Sequence, residues 1–139
     1  MGRIMAIDYG KKRVGLAVTD ELKMIANALT TVHSRDVFEF ITEYTKEESV
    51  ECIVIGEPKR FNNQASESEK YITPFVNRLK KNFKDIRIER FDERFTSKMA
   101  SQTLVDAGYK KKDRQRKELV DSISATIILQ SYLEANPKI

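Results

Sequence analysis

Five acidic residues stand where the sequence predicts that strands or a helix begin or end, and sheets open into clefts at such places. They are Asp8, Glu57, Asp92, Glu93 and Asp121. Acids at strand ends can point into a shared cleft, whereas charges inside a strand must be paired or solvated. Small residues follow Asp121 at positions 122, 124 and 125, so the last helix could approach the sheet closely. We therefore expect Asp121 to face Asp8.

Carboxylates with almost no histidine favour a hard cation. Mg²⁺ and Mn²⁺ take oxygen ligands, and Mg²⁺ keeps several waters, so a few carboxylates suffice. Two such ions about 4 Å apart can activate a water and stabilise the leaving oxygen in phosphodiester cleavage. Zinc is disfavoured because the chain has one histidine, His33, and one cysteine, Cys52. We expect His33 at the surface and Cys52 packed as a small hydrophobe without a disulfide.

Each acid also has a structural alternative. Asp8 could cap the following turn, and Asp92 could cap the helix after it. Glu57 could face solvent, and Asp121 could pair with Lys117 at helical spacing. Position alone therefore does not decide which acids are ligands.

Length and composition indicate one domain over residues 1–139, with room for a sheet and packed helices but not for two cores. No apolar run reaches the ~18 residues that cross a bilayer, and no signal-peptide core precedes the first strand. We expect a cytoplasmic protein without membrane contact. The net charge of +4 barely favours a polyanionic partner. Residues 110–117, KKKDRQRK, could nevertheless lie along phosphates or form a solvated loop.

The first half of the chain reads as strands followed by a helix and a strand. Residues 4–8 and 14–19 are predicted to form a hairpin, with a weaker third strand at 26–32. Ser34 is a candidate N-cap for a helix over 37–48. The apolar run 52–55 suits a buried parallel strand.

The second half continues the alternation. Residues 59–65 are predicted to be a loop, and Ser66 with Glu69 offers a capping box for a helix that ends near Asn82. An edge strand at 86–91, a helix between Thr96 or Ser97 and Gly108, and a last helix at 118–134 follow. This order predicts an α/β fold with a mixed sheet, antiparallel on one side and parallel on the other, and helices on both faces.

Three segments together resemble the YqgF/RuvX family of small bacterial proteins. They are MAIDYGKKRVGLAVTD at 5–20, FDERFTS at 91–97 and DSISATIILQSYL at 121–133. The resemblance implies an RNase H-like fold with a five-stranded sheet, related to the RuvC resolvases. It also implies a hydrolase that cleaves nucleic acid with Mg²⁺ or Mn²⁺. Members are named as nucleases that mature the 5′ end of pre-16S rRNA in ribosome biogenesis, and as Holliday junction resolvases.

By this resemblance, Asp8, Glu93 and Asp121 match the family's acidic triad, which is catalytic and binds metal. Basic residues would contact the nucleic-acid backbone: Lys11, Lys12, Arg13, Arg94, Lys110, Lys111, Lys112, Arg114 and Arg116. The chain departs from the family at Glu57. The family usually has Gly-Leu-Pro where this chain has Gly-Glu-Pro. Glu57 is either a fourth carboxylate near the metal or a variation that points to solvent.

The working hypothesis is hydrolysis of pre-rRNA, in which case a ribosomal particle is an expected partner. A first alternative is cleavage of four-way DNA junctions, which needs a homodimer rather than a monomer to cut symmetrically. A second is phosphoryl transfer from ATP, since the first motif also resembles the phosphate loop of the actin and sugar-kinase fold. That fold uses two such domains, and this chain has room for one. A third is a nucleic-acid-binding module without activity.

The basic segment can be tested by replacing Lys111 with alanine. If the segment tracks phosphates, Lys111→Ala should weaken nucleic-acid binding and flatten the dependence of log K on log[salt], with a slope change of about 0.7–0.9. Binding titrations at several salt concentrations measure this slope. An unchanged slope would mean that residues 110–117 form only a solvated loop.

Overall fold

The computed structural model describes residues 2–58, 67–93 and 117–136, and only the backbone of residues 117–121. These ranges contain five strands and three helices. The strands are β1 (Arg3–Tyr9), β2 (Arg13–Thr19), β3 (Ala26–His33), β4 (Val50–Glu57) and β5 (Arg87–Asp92). The helices are α1 (Val37–Glu47), α2 (Glu69–Asn82) and α3 (Lys117–Ala135). The loop predicted at 59–65 and the helix predicted before Gly108 lie outside the described residues.

The strands form one mixed sheet in the order β3-β2-β1-β4-β5. β1 pairs antiparallel with β2, which pairs antiparallel with β3. β4 lies parallel to both β1 and β5. The predicted fold class and the edge position of β5 are therefore confirmed, and the carboxyl ends of β1, β4 and β5 meet at one edge.

Each side of the sheet carries its own core. On one side, Met5 and Ile7 of β1 pack with Ile53 and Ile55 of β4 under α1 and α2. On the other side, Ile4, Ala6 and Val54 pack against α3, which contributes Ala125, Ile128 and Leu129. We call these the α1/α2 side and the α3 side. Since β1 and β4 are covered on both sides, their near-continuous apolar runs are explained.

Two predicted helix caps are wrong. The N-cap residue of α1 is Asp36, and the predicted cap Ser34 instead donates its hydroxyl to the carbonyl oxygen of Lys11 at 2.7 Å. The N-cap residue of α2 is Ser68 rather than Ser66. Neither helix has a side-chain cap hydrogen bond at its N-cap residue.

The turn between β1 and β2 is closed tightly. The amide of Gly10 donates to the carbonyl oxygen of Arg13 at 3.0 Å, and a Cβ at position 10 would lie 2.4 Å from that oxygen. Glycine is therefore required there. No helix among the described residues is long and apolar enough to cross a membrane.

Candidate active site

Asp8 lies near the end of β1 on the α3 side, between two strand positions that have no side chain. Strand alternation puts Asp8 on the same side as Ala6 and Ile4, which pack against α3. Its partner on β2 is Gly15, and Ile7 pairs with Ile55, so the next residue of β4 beside Asp8 is Gly56. The carboxylate therefore has a glycine on either side, and we call these two glycines the floor of the site.

Glu93, the residue directly after β5, covers this floor at Gly56. A Cβ built on Gly56 would lie 3.1 Å from Cδ of Glu93, 3.3 Å from its Cγ and 2.9 Å from Cδ1 of Ile128 on α3. The Glu93 side chain thus runs across Gly56 toward β1 and packs beside α3. The structure brings together two of the predicted ligands, Asp8 and Glu93, although they are far apart in sequence.

The electrostatics of Glu93 reflect this placement. Its pKa is raised to about 7, first by burial and second by the negative charge of Asp8. Arg90 partly offsets the shift, whereas Glu69 and Asp92 add to it. A carboxyl group whose charged form is disfavoured by burial and by a like charge is stabilised in that form by a bound cation.

Glu57 and Asp92 lie on the opposite side of the sheet from Asp8. They form a register pair at the ends of β4 and β5. Alternation from Ile55, which is in the α1/α2 core, places Glu57 on that side. The structure thus separates the side chain positions of Glu57 and Asp8 by the thickness of the sheet.

Arg90 is a site residue that the sequence analysis did not single out. Its two terminal nitrogens donate to both carboxylate oxygens of Glu69 at 2.9 and 2.8 Å, and Nη2 also donates to the carbonyl oxygen of Gly56 at 2.9 Å. Such a bidentate pair adds geometric specificity. Arg90 therefore ties the start of α2 to the floor of the site. The only signal in the sequence was an arginine in a strand next to FDERFTS.

On the α3 side of β5, Glu89 fixes α3. Its Oε2 accepts hydrogen bonds from the hydroxyl of Tyr132, from Sγ of Cys52 at 3.2 Å and from Nε of Arg87 at 3.1 Å. The Tyr132 bond is the main reason that the pKa of Glu89 is lowered. Burial raises the pKa of the Cys52 thiol to about 12, in agreement with the predicted inert packing role. These bonds hold the C-terminal half of α3 against β4 and β5.

The remaining predicted site residues are placed in part. Lys11, Lys12 and Arg13 are exposed at the β1–β2 turn, next to the edge that carries Asp8. Asp121 belongs to α3, one turn before Ala125, but its side chain lies outside the description. Arg94 and the basic residues of 110–116 also lie outside the described residues. His33 is exposed, as expected, and its Nδ1 accepts the amide of Arg35 at 3.1 Å.

The donor set suits an oxygen-binding cation. Asp8 and Glu93 supply carboxylate oxygens at one place, and hard divalent cations prefer such ligands. Among the residues that the structure describes, no group of three or more histidine, cysteine or acidic side chains could hold a metal ion. The described part therefore provides two carboxylates, and a third ligand would have to come from elsewhere, such as Asp121.

A family model matches residues 2–135, almost the full chain, and its description is RuvX: Holliday junction resolvase. This chain belongs to the RuvX family. Curated relatives with the provisional name pre-16S rRNA nuclease are similar over nearly their whole length. The Bacteroides fragilis protein is 60% identical over 96% of this chain and 97% of its own. The Flavobacterium johnsoniae protein is 52% identical over 97% of this chain and 98% of its own.

Solved structures confirm the fold of this RuvX protein. Thermus thermophilus RuvC in complex with a Holliday junction substrate has a TM-score of 0.60 and 13% identity, covering 98% of this chain and 97% of that one. A second Thermus thermophilus RuvC structure also has a TM-score of 0.60. The RNase H-like fold implied by the sequence motifs is therefore confirmed.

The raised pKa of Glu93 predicts a pH-dependent stability in metal-free RuvX protein. Between about pH 5 and 7 the folded state keeps a proton on Glu93 that the unfolded chain has released, so stability falls as the pH rises through this window. Glu93→Gln stays neutral. Relative to the unchanged protein, its free energy of unfolding should rise by up to about 2 kcal/mol between pH 5 and pH 8.

Urea unfolding in EDTA at both pH values measures this difference. Glu47→Gln, on the exposed face of α1, is the matched control and should show no such pH-dependent gain. A Glu93→Gln effect that is the same at pH 5 and pH 8 would contradict the assignment.

Gly56 predicts a second, steric effect. In Gly56→Ala the new methyl group would overlap Ile128 and Glu93, so the free energy of unfolding should fall by about 1–3 kcal/mol. Displacing Glu93 from Asp8 should also lower the Glu93 pKa, which NMR titration can follow. Adding Ile128→Val removes the Cδ1 contact and should cost less stability in this background than alone. Additive costs would mean that Gly56 and Ile128 do not share this contact.

Proposed function

We propose that this protein is a metal-dependent nuclease that hydrolyses phosphodiester bonds at the 5′ end of pre-16S rRNA. The observation that carries the proposal is the convergence of Asp8 and Glu93 over the glycine floor at the carboxyl edge of the sheet. Support for the substrate comes from relatives that are 52–60% identical over nearly the whole chain and are provisionally named for that activity. The single domain over 1–139 and the cytoplasmic location belong to the same proposal.

Asp8, Glu93 and Asp121 would hold the cation, Mg²⁺ or Mn²⁺. When bound, such an ion neutralises charge on the phosphoryl oxygens and promotes attack by water. We place Glu57 outside this set because strand alternation puts it on the α1/α2 side.

The chain's own residues would divide the remaining work between positioning and binding. Arg90 keeps the floor in place through Gly56 and Glu69, so that Glu93 reaches Asp8. Glu93 holds a proton near neutral pH and therefore makes cation binding compete with protons. Lys11, Lys12 and Arg13, with Arg94 and residues 110–116, would bind backbone phosphates and set the register of the strand.

The central test is Asp8→Asn, which removes a ligand charge without changing side-chain size. Cleavage of a pre-16S rRNA 5′-end substrate in Mg²⁺ or Mn²⁺ should fall by at least about 100-fold, because the loss of even an outer-shell partner of a metal ligand costs about 10–100-fold. The fold should be unaffected, because one carboxylate that repels Glu93 is removed. Gel assays of cleavage and urea unfolding provide the two measurements.

Glu57→Gln is the matched control, since it makes the same chemical change at the end of the neighbouring strand. It should retain cleavage within a few-fold of the unchanged protein. Full cleavage activity in Asp8→Asn would refute the nuclease site. An equal loss of cleavage activity in both variants would mean that Glu57 is also a metal ligand.

A second candidate function is cleavage of four-way DNA junctions. It is favoured by the description of the matching family model and by the similar fold of RuvC. Symmetric cutting requires two sites in a dimer. Side-by-side assays on pre-rRNA ends and synthetic junctions, with the oligomeric state measured in parallel, separate the two. Preferential junction cleavage by a dimer would replace the rRNA assignment.

A further inference from the structure

A cavity of about 220 Å³ opens on the α1/α2 side of the sheet, at the end of β1 that carries Asp8. Its lining is mostly aromatic, with three hydroxyl groups, from two tyrosines and a serine, and one guanidinium. It includes Tyr9, Ser34, Phe38, Tyr71, Phe75 and Arg78. The cavity is smaller than the roughly 300–1,000 Å³ clefts that hold drug-sized ligands, so its size suits a single flat ring.

Aromatic rings in this cavity are held by one another. The ring centroid of Tyr9 lies 4.5 Å from that of Phe75 and 6.1 Å from that of Tyr71, with interplanar angles of 31° and 37°. Phe75 is buried, whereas Tyr9 and Tyr71 are half-buried. The rings of Tyr9 and Tyr71 are thus held by packing against neighbouring rings while part of their surface stays accessible. Nucleobases stack on aromatic rings that are exposed in this way.

Arg78 completes the cavity on α2. Its guanidinium carbon lies 3.8 Å from the ring centroid of Phe38, and the residue is exposed. Within the described ranges the guanidinium has no carboxylate partner. A guanidinium plane on an aromatic ring can stack on a base or bind a phosphate.

The basic β1–β2 turn is fixed to the rim of the cavity. The hydroxyl of Ser34 donates to the carbonyl oxygen of Lys11 at 2.7 Å. The backbone amide of Ser34 donates to the carbonyl oxygen of Lys12 at 3.0 Å. Both lysine side chains are exposed. Positive charge therefore lies beside an aromatic cavity, which complements a polyanionic chain that carries flat bases.

We propose that this cavity binds one unpaired nucleobase of the strand that is cleaved at the carboxylate site. The inference rests on the proposed function and adds that the strand is unpaired near the cut. Asp8 and Tyr9 are consecutive and point to opposite sides of the sheet. The nucleic-acid strand therefore crosses the carboxyl edge of the sheet at the β1–β2 turn. A phosphate then lies on the α3 side and a base on the α1/α2 side.

The test measures binding rather than cleavage. All variants carry Asp8→Asn, and fluorescence anisotropy reports binding of a labelled single-stranded RNA. Tyr71→Leu, which removes the ring, should weaken binding about 5- to 100-fold, and Tyr71→Phe, which keeps it, should bind as the parent does. Arg78→Gln should also weaken binding, whereas the charge-matched control Lys81→Gln on the same helix should have little effect.

An abasic scan of the RNA identifies the base. Replacing one base at a time by an abasic nucleotide should weaken binding strongly at one position, and Tyr71→Leu should cause no further loss at that position. If no position behaves in this way, the proposal is overturned. It is equally overturned if Tyr71→Leu is silent and Arg78→Gln weakens binding uniformly across the scan, since Arg78 then contacts only phosphate.

The two proposals fail differently. If the unchanged protein cleaves no nucleic acid in Mg²⁺ or Mn²⁺, the proposed function fails, while the abasic scan still reports on the cavity. If cleavage depends on Asp8 and the scan shows no special position, the nuclease site stands and the base-binding cavity is wrong.

Discussion

Glu93 can lie beside Asp8 because position 56 has no side chain. The contact that a Cβ would make, 2.9 Å to Ile128 and 3.1 Å to Glu93, shows that both side chains occupy the space above this glycine. The result places two carboxylates in a partly buried site, at an electrostatic cost that appears as the raised pKa of Glu93. A divalent cation would relieve this cost, so the same close packing that destabilises the metal-free site prepares it for binding.

The edge strand β5 holds this arrangement because its residues are anchored on both sides of the sheet. Arg90 points to the α1/α2 side and binds Glu69 at the start of α2. Glu89 points to the α3 side and accepts hydrogen bonds from Tyr132 and Cys52. An edge strand pairs with only one neighbour, so these side-chain bonds supply the order that a second strand would otherwise give. Glu93 follows directly after this clamped segment.

Strand alternation turns two consecutive residues at the end of β1 to opposite sides of the sheet. Asp8 points to the α3 side, where Gly56 leaves room for the second carboxylate. Tyr9 points to the α1/α2 side and packs on Phe75 in the aromatic cavity. The tight turn that follows requires Gly10 and brings lysines to the same edge. A nucleic-acid strand crossing this edge would therefore contact a carboxylate, an aromatic ring and lysine side chains within a few residues of one chain segment.

The sequence by itself determined the order of the strands and helices that the structure describes and the mixed sheet, because these depend on local periodicity and motif composition. It could not decide that Glu57 and Asp8 lie on opposite sides. Periodicity shows which residues of one strand share a side, but pairing in space decides how the sides of different strands match. Here Ile7 pairs with Ile55, so Asp8 lies level with Gly56 rather than with Glu57. The Arg90–Glu69 pair and the aromatic cavity join residues distant in sequence, so only the tertiary structure could reveal them.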